Sequence, residues 1–189
     1  MIETNKHNAS FALLGIVGVV LFVAAWIIAA STDTSWVFGK DSLYELGVSS
    51  TDARFYFNYA CMICGVLMAA FGLGHALARK NPGVMTSGLL LAIAGVFLLL
   101  TGIFVKEPGN DSLHMFCVVM LGFLVLAALV AMAFGDWKDG KVLPAGFSVI
   151  CIIAAATFVA TTPSASWSAA AFLIGCLWII VQSAKMALD

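Results

Sequence analysis

A chain of 189 residues with 62% apolar side chains, 10% charged ones and a mean hydropathy of +1.06 lies far outside the range of soluble domains. The formal charge of −1 is spread over nine basic and ten acidic residues, and no nucleic-acid partner is expected. What remains is an integral membrane protein with almost no extramembrane domain: residues 1–189 as one all-α, polytopic, compact bundle of six transmembrane helices.

The first apolar run, 11–31, is about 20 residues long, which exceeds the roughly 7–15 residues of a signal-peptide core, so it is expected to be a retained helix. It is followed by the most polar stretch of the chain, Lys40 to Asn58. Within that stretch Ser42-Leu43-Tyr44-Glu45 fits a capping box, in which the Ser hydroxyl and the Glu carboxylate each satisfy an orphan amide at a helix start, and Gly47 would end the turn. Ser50, Thr51 and Asp52 are placed to cap the next helix, with Arg54, Tyr56 and Tyr59 at headgroup depth. Capping leaves the joint presence of Glu45, Arg54 and Asn58 unexplained.

The second span, 54–78, carries a face of small residues at Asn58, Cys61, Gly65, Ala69, Gly72 and Ala76. The third, 84–105, repeats Gly88, Gly95 and Gly102 every seven residues, beside Ser87, Ala94 and Thr101. In lipid the hydrophobic effect no longer drives helices together and close backbone approach does, so these two stripes predict that the second and third spans pack on each other. A period of seven favours a left-handed crossing. Cys61 and Cys64 have the spacing of a redox or zinc pair, but all five cysteines fall inside spans, where they read as small buried hydrophobes rather than a disulfide framework.

Lys106 to His114 forms a second polar cluster between the third and fourth spans, with Asp111 or Ser112 as the N-cap of the fourth helix, 113–134, and His114 in its first turn. Three readings of His114 stand side by side: an interfacial imidazole bonded to a loop carbonyl, a member of a polar site shared with Glu45 and Asn58, and a metal ligand. The links at 81–83, 108–110, 135–140 and 162–164 carry the Pro, Gly, Asn and Ser of turns. The fifth and sixth spans, 142–161 and 166–186, contain no Asp, Glu, Lys, Arg or His between Val142 and Ala184, so the last hairpin is expected to supply walls rather than acid-base chemistry.

Orientation follows from basic residues in the links. With both termini inside, Lys6, Arg79, Lys80, Lys138, Lys141 and Lys185 lie inside and Lys40, Arg54 and Lys106 outside, six against three. His75 and His114 then sit at opposite membrane faces, about 25–30 Å apart in depth at 1.5 Å per residue, which argues against a bis-histidine haem or a multi-histidine zinc centre. No metal and no cofactor are expected, and no charged residue stands at the midplane to suggest ion-coupled transport.

Asp41-Ser42-Leu43-Tyr44-Glu45-Leu46-Gly47 before a span, an Asn inside that span, a Gly-rich third span ending Gly102-Ile103-Phe104 and His114 opening the fourth together resemble the prokaryotic six-span membrane family known as domain of unknown function 998. The resemblance covers nearly the whole chain through short motifs. It implies a small bundle with polar residues gathered on the outer side and supplies no reaction. Two positions depart from its pattern: Tyr44 stands where the family often has Ser, and Val105 where Pro is common. A looser likeness in the polar motif, to eukaryotic six-span proteins connected with lipid remodelling and autophagy, points toward lipids.

Two functions are expected from this reading. In the first, a multi-pass protein of the cell membrane uses an outward-facing polar site formed by Glu45, Arg54, Asn58, Glu107, Asp111 and His114, with Tyr56 and Trp36 as walls, to hold a lipid headgroup or a segment of a membrane-protein partner or second copy. In the second, the same site is an enzyme on lipid substrates, with His114 as general base and Glu45 or Asp111 orienting it.

Overall fold

The computed structural model describes residues 2–78, 81–107 and 109–188; Arg79, Lys80, Pro108 and Asp189, which entered the reading of charges and turns, lie outside them. Six α-helices follow one another: α1 (Ile2–Thr32), α2 (Ala53–Ala78), α3 (Pro82–Ile103), α4 (Asp111–Lys138), α5 (Val142–Thr161) and α6 (Ser164–Leu188). Each contains a stretch long and apolar enough to cross a membrane. A short 3-10 helix, η1 (Leu43–Val48), interrupts the link between α1 and α2. Every α-helix packs on its neighbours in the chain, and α1 also packs on α6, so the six close into a ring.

The α2–α3 seam is the tightest contact. A Cβ built on Gly95 would lie 2.5 Å from the Ala69 nitrogen and 2.6 Å from the Gly65 carbonyl oxygen, and one on Gly88 would lie 2.5 Å from the Ala76 nitrogen. The expected stripes therefore meet backbone to backbone, at a separation that excludes even a methyl group.

Helix ends differ from expectation in four places, the first being Gly47, which lies inside η1 rather than ending it, with Ser49 at the C-cap. Ser42 makes no side-chain cap and no capping box forms, because η1 is a six-residue 3-10 helix and the Ser42 hydroxyl is used elsewhere. The N-cap of α4 is Asn110, with Asp111 already in the first turn and no side-chain cap bond. Gly135-Asp136 does not break α4, which continues to Lys138. Gly135 is instead a packing residue: a Cβ on Gly83 would lie 2.7 Å from its Cα. Asn81 locks that corner, accepting from the Gly83 and Val84 amides to cap α3 while donating to the Gly135 carbonyl (3.0 Å) and to Asp139 Oδ1 (2.6 Å).

Two apolar clusters fill the interior. Near the termini, Ala12, Phe71, Leu91, Met132, Cys151 and Trp178 bring all six helices together. Toward the other end, Phe22, Leu43, Leu46, Phe57, Cys61 and Ala169 join α1, α2, α6 and η1. Leu46 is fully buried, so η1 is seated into the bundle by its apolar side while its polar side faces out.

Candidate functional site

The polar stretch after α1 is a folded cap across the end of the bundle opposite the termini. Asp33 starts it, accepting from Ser35 Oγ (2.5 Å) and from Ser49 Oγ (2.6 Å), which ties the beginning of the cap to its end. These hydroxyls, Ser35 first, hold the Asp33 carboxyl below the usual carboxylate range. The Trp36 indole donates to the Ser42 carbonyl (3.1 Å), and its ring packs edge-on to Trp26. Ser42 Oγ donates to the Ala165 carbonyl (3.3 Å), the Leu43 amide donates to Ser168 Oγ (2.9 Å), and Ser166 Oγ donates to the Gly39 carbonyl (2.8 Å), so the cap is fastened to the start of α6. On the α2 side, Asn58 Nδ2 donates to the Gly47 carbonyl (2.9 Å). A Cβ on Gly47 would lie 2.6 Å from Asn58 Oδ1, so a larger residue there would displace the Asn58 amide. Thr51 Oγ1 accepts from the Ala53 amide (3.2 Å) and supplies the cap at the start of α2.

The remaining side of the cap meets α4 through Tyr44. Its ring stands edge to face with the imidazole of His114, centroids 5.7 Å apart, and Lys106 Nζ lies 4.6 Å from the centre of the same ring. His114 is buried, with 4% of its surface exposed. Its Nδ1 is 2.7 Å from the Phe104 carbonyl oxygen at the end of α3. A carbonyl can only accept, so Nδ1 carries the hydrogen; in the neutral tautomer that this bond selects, Nε2 is the acceptor. Nε2 is buried and has no hydrogen-bond partner among the described residues. The loop-carbonyl reading of His114 thus describes one ring nitrogen, and the other is buried without a partner among the described residues.

The six residues expected at the site fall into two groups. His114 and Asn58 lie in the packed layer under the cap; Glu45, Arg54, Glu107 and Asp111 are exposed. Among the described residues Glu45 makes no side-chain hydrogen bond or ion pair, and the His114 ring is bonded to Phe104 instead. A 3-10 turn directs Tyr44 at the imidazole and its neighbour Glu45 outward. The Arg54 guanidinium lies over the adjacent Phe55 ring at 4.7 Å, and Tyr56 is exposed at the start of α2.

With this arrangement in view, the family model described as protein of unknown function (DUF998) matches residues 16–185. The chain belongs to that family. No curated protein and no solved structure matches it. The matched span runs from within α1 to Lys185 in the last turn of α6 and takes in every residue of the cap.

Tyr44, Lys106 and Phe104 were not among the expected site residues, and the signal that points to the first two is aromatic and cationic character at headgroup depth. A second polar group escaped the sequence reading altogether. At the termini end, Asp136 of α4 is 1% exposed and accepts from Lys185 Nζ of α6 at 2.8 Å through both carboxylate oxygens. The last hairpin is also more than wall: the Trp178 indole donates to Ser148 Oγ (2.9 Å) between α6 and α5, and Gln182 and Ser183 are fully buried. Trp178, Gln182, Lys185 and Met186 recur at helical spacing, so their shared face was visible in the sequence.

Proposed function

We propose that this protein sits in the cell membrane with both termini inside and uses the capped end, on the outer side, to hold the polar headgroup of a phospholipid. The observation that carries the reading is the buried, unpartnered Nε2 of His114 beneath Tyr44. A buried acceptor is costly unless a donor reaches it, and a headgroup hydroxyl is such a donor. Lys106, on the same Tyr44 ring, offers the positive charge that a phosphate requires. Tyr44 is half-buried and packs on the imidazole, so on this reading its ring borders the headgroup. Arg54 adds a second cation at this end, and Glu45, Glu107 and Asp111 lie on its exposed rim. The basic-residue bias supports the orientation, although Lys185 is committed to Asp136 and so adds little to it.

Lipids that copurify with the full-length protein test this reading. Mass spectrometry is expected to find phospholipid retained by the wild type and depleted several-fold in His114→Ala and Lys106→Ala. Equal retention by all three would overturn it.

The bond from Nδ1 to Phe104 also favours a second reading. It fixes the ring with Nε2 free to take a proton, which is the arrangement of a general base oriented by a backbone carbonyl. On that reading the bound lipid is changed as well as held. Time-dependent lipid products formed by the wild type and absent with His114→Gln would support it, and no turnover by the lipid-loaded wild type would exclude it.

A further inference from the structure

The termini half of the bundle holds polar groups that the headgroup reading does not use. Gln182 is fully buried, and both its amide nitrogen and its amide oxygen lack a hydrogen-bond partner among the described residues; Ser183 is fully buried and its hydroxyl is likewise unpartnered. Gln182 belongs to the inward stripe of α6, with Trp178 one turn before it and Lys185 and Met186 one turn after it. Ser183 faces α1 and α2, where a Cβ on Gly15 would collide with its hydroxyl oxygen and would lie 3.0 Å from the Phe71 ring. Phe71 in turn stands edge to face with the buried imidazole of His75, centroids 4.8 Å apart. Across from Lys185, Met132 Sδ lies 3.2 Å from its ammonium group, beside Asp136. Ser183 and Lys185 thus meet α1, α2 and α4, and Gln182 lies between them on the same buried end of α6.

We infer that this region is a second binding site, and that its occupant is a small, uncharged molecule able both to donate and to accept hydrogen bonds: water, or a small hydroxyl- or amide-bearing solute. Charge and hydrogen-bond capacity decide the class. The ammonium of Lys185 is met by both oxygens of Asp136, so these two buried charges neutralise each other. Gln182 contributes two donor hydrogens and a carbonyl, and Ser183 one hydroxyl that works in both senses. Buried groups of this kind are ordinarily satisfied by protein or by an internal molecule making several hydrogen bonds. The site lies at the opposite end of the bundle from His114, so it stands or falls independently of the headgroup reading.

The test is radiolytic footprinting of the full-length protein in nanodiscs, with millisecond exposure in water enriched in oxygen-18. Met132 and Met186 are both 1% exposed, so bulk solvent does not reach them, and they report a water molecule held beside them. Oxidation of the two carrying oxygen-18 is expected in the wild type, with at least a several-fold drop in Gln182→Leu and Ser183→Ala. If the occupant is an organic solute, the two methionines stay unlabelled, the denatured protein releases a neutral small molecule that mass spectrometry detects, and the Gln182→Leu variant releases none. Absence of both label and released molecule in the wild type would overturn the inference, and that result needs no variant to fold. A Tm that rises in Gln182→Leu would equally overturn it, because removing an amide that nothing satisfies relieves the fold, whereas removing one that holds a ligand weakens it.

Discussion

Asp33 shows how single side chains fasten the cap. The Ser35 and Ser49 hydroxyls favour its charged form and lower its pKa in the folded protein. A lowered folded-state pKa means that the stabilisation is present above the unfolded carboxylate range and is lost as pH falls through the folded value. Carbon-13 NMR of labelled aspartate should find that Ser35→Ala moves the Asp33 titration upward, with Ser49→Ala acting in the same direction; an unmoved titration in both would remove these bonds from the account. At the other end, the Asp136–Lys185 pair is 1% and 9% exposed on its two sides. Truncating one partner of a buried pair leaves a charge with no counterpart, at a cost of about 3–5 kcal/mol, whereas replacing both with apolar residues of similar volume is often neutral. Asp136→Leu alone is therefore expected to lower thermal stability far more than Asp136→Leu with Lys185→Met, and a double-mutant cycle with no coupling would contradict this. Sequence reading put Asp136 in a turn because Gly135 precedes it. A glycine that ends a helix and a glycine that admits a neighbouring backbone look the same in one dimension, and only the approach of Gly83 tells them apart.

At the scale of elements, the seam between α2 and α3 was legible because close packing in lipid leaves a periodic trace of small residues. The built Cβ positions put the expected steric conflict on backbone atoms, which cannot swing aside as a side chain would. Gly95→Leu is expected to cost about 1–3 kcal/mol by overpacking, and to lower stability in detergent more than Leu98→Ala. Equal or greater stability of the glycine variant would show that the helices can separate there at no cost. The link between α1 and α2 was legible only in part. Its polarity marked it as ordered, and the pairing of Gly47 with Asn58 accounts for the Asn inside the second span. The capping box misled, because Ser-x-x-Glu describes an α-helical start and η1 is a 3-10 turn whose Ser42 hydroxyl and Leu43 amide reach across to α6. Contacts between residues more than a hundred positions apart leave no local pattern to read.

For the whole molecule, the ring of six helices separates two polar regions by an apolar core: His114 under the cap at one end, Gln182 and the ion pair at the other. Impermeant thiol labelling of single cysteines introduced in a cysteine-free background, in right-side-out vesicles, should mark positions 40 and 106 and leave 138 and 141 unmarked; the reverse pattern would invert the proposed orientation. Nitrogen-15 NMR of histidine-labelled protein reads the proposed contact between a phospholipid headgroup and His114 at the nitrogen itself, since the chain has three histidines and His114→Gln assigns the signal. The ring is expected to carry hydrogen on Nδ1 and none on Nε2, with an Nε2 resonance that moves when phosphatidylglycerol is added to lipid-depleted protein. An Nε2 resonance that stays in place while the protein demonstrably binds that lipid would contradict it.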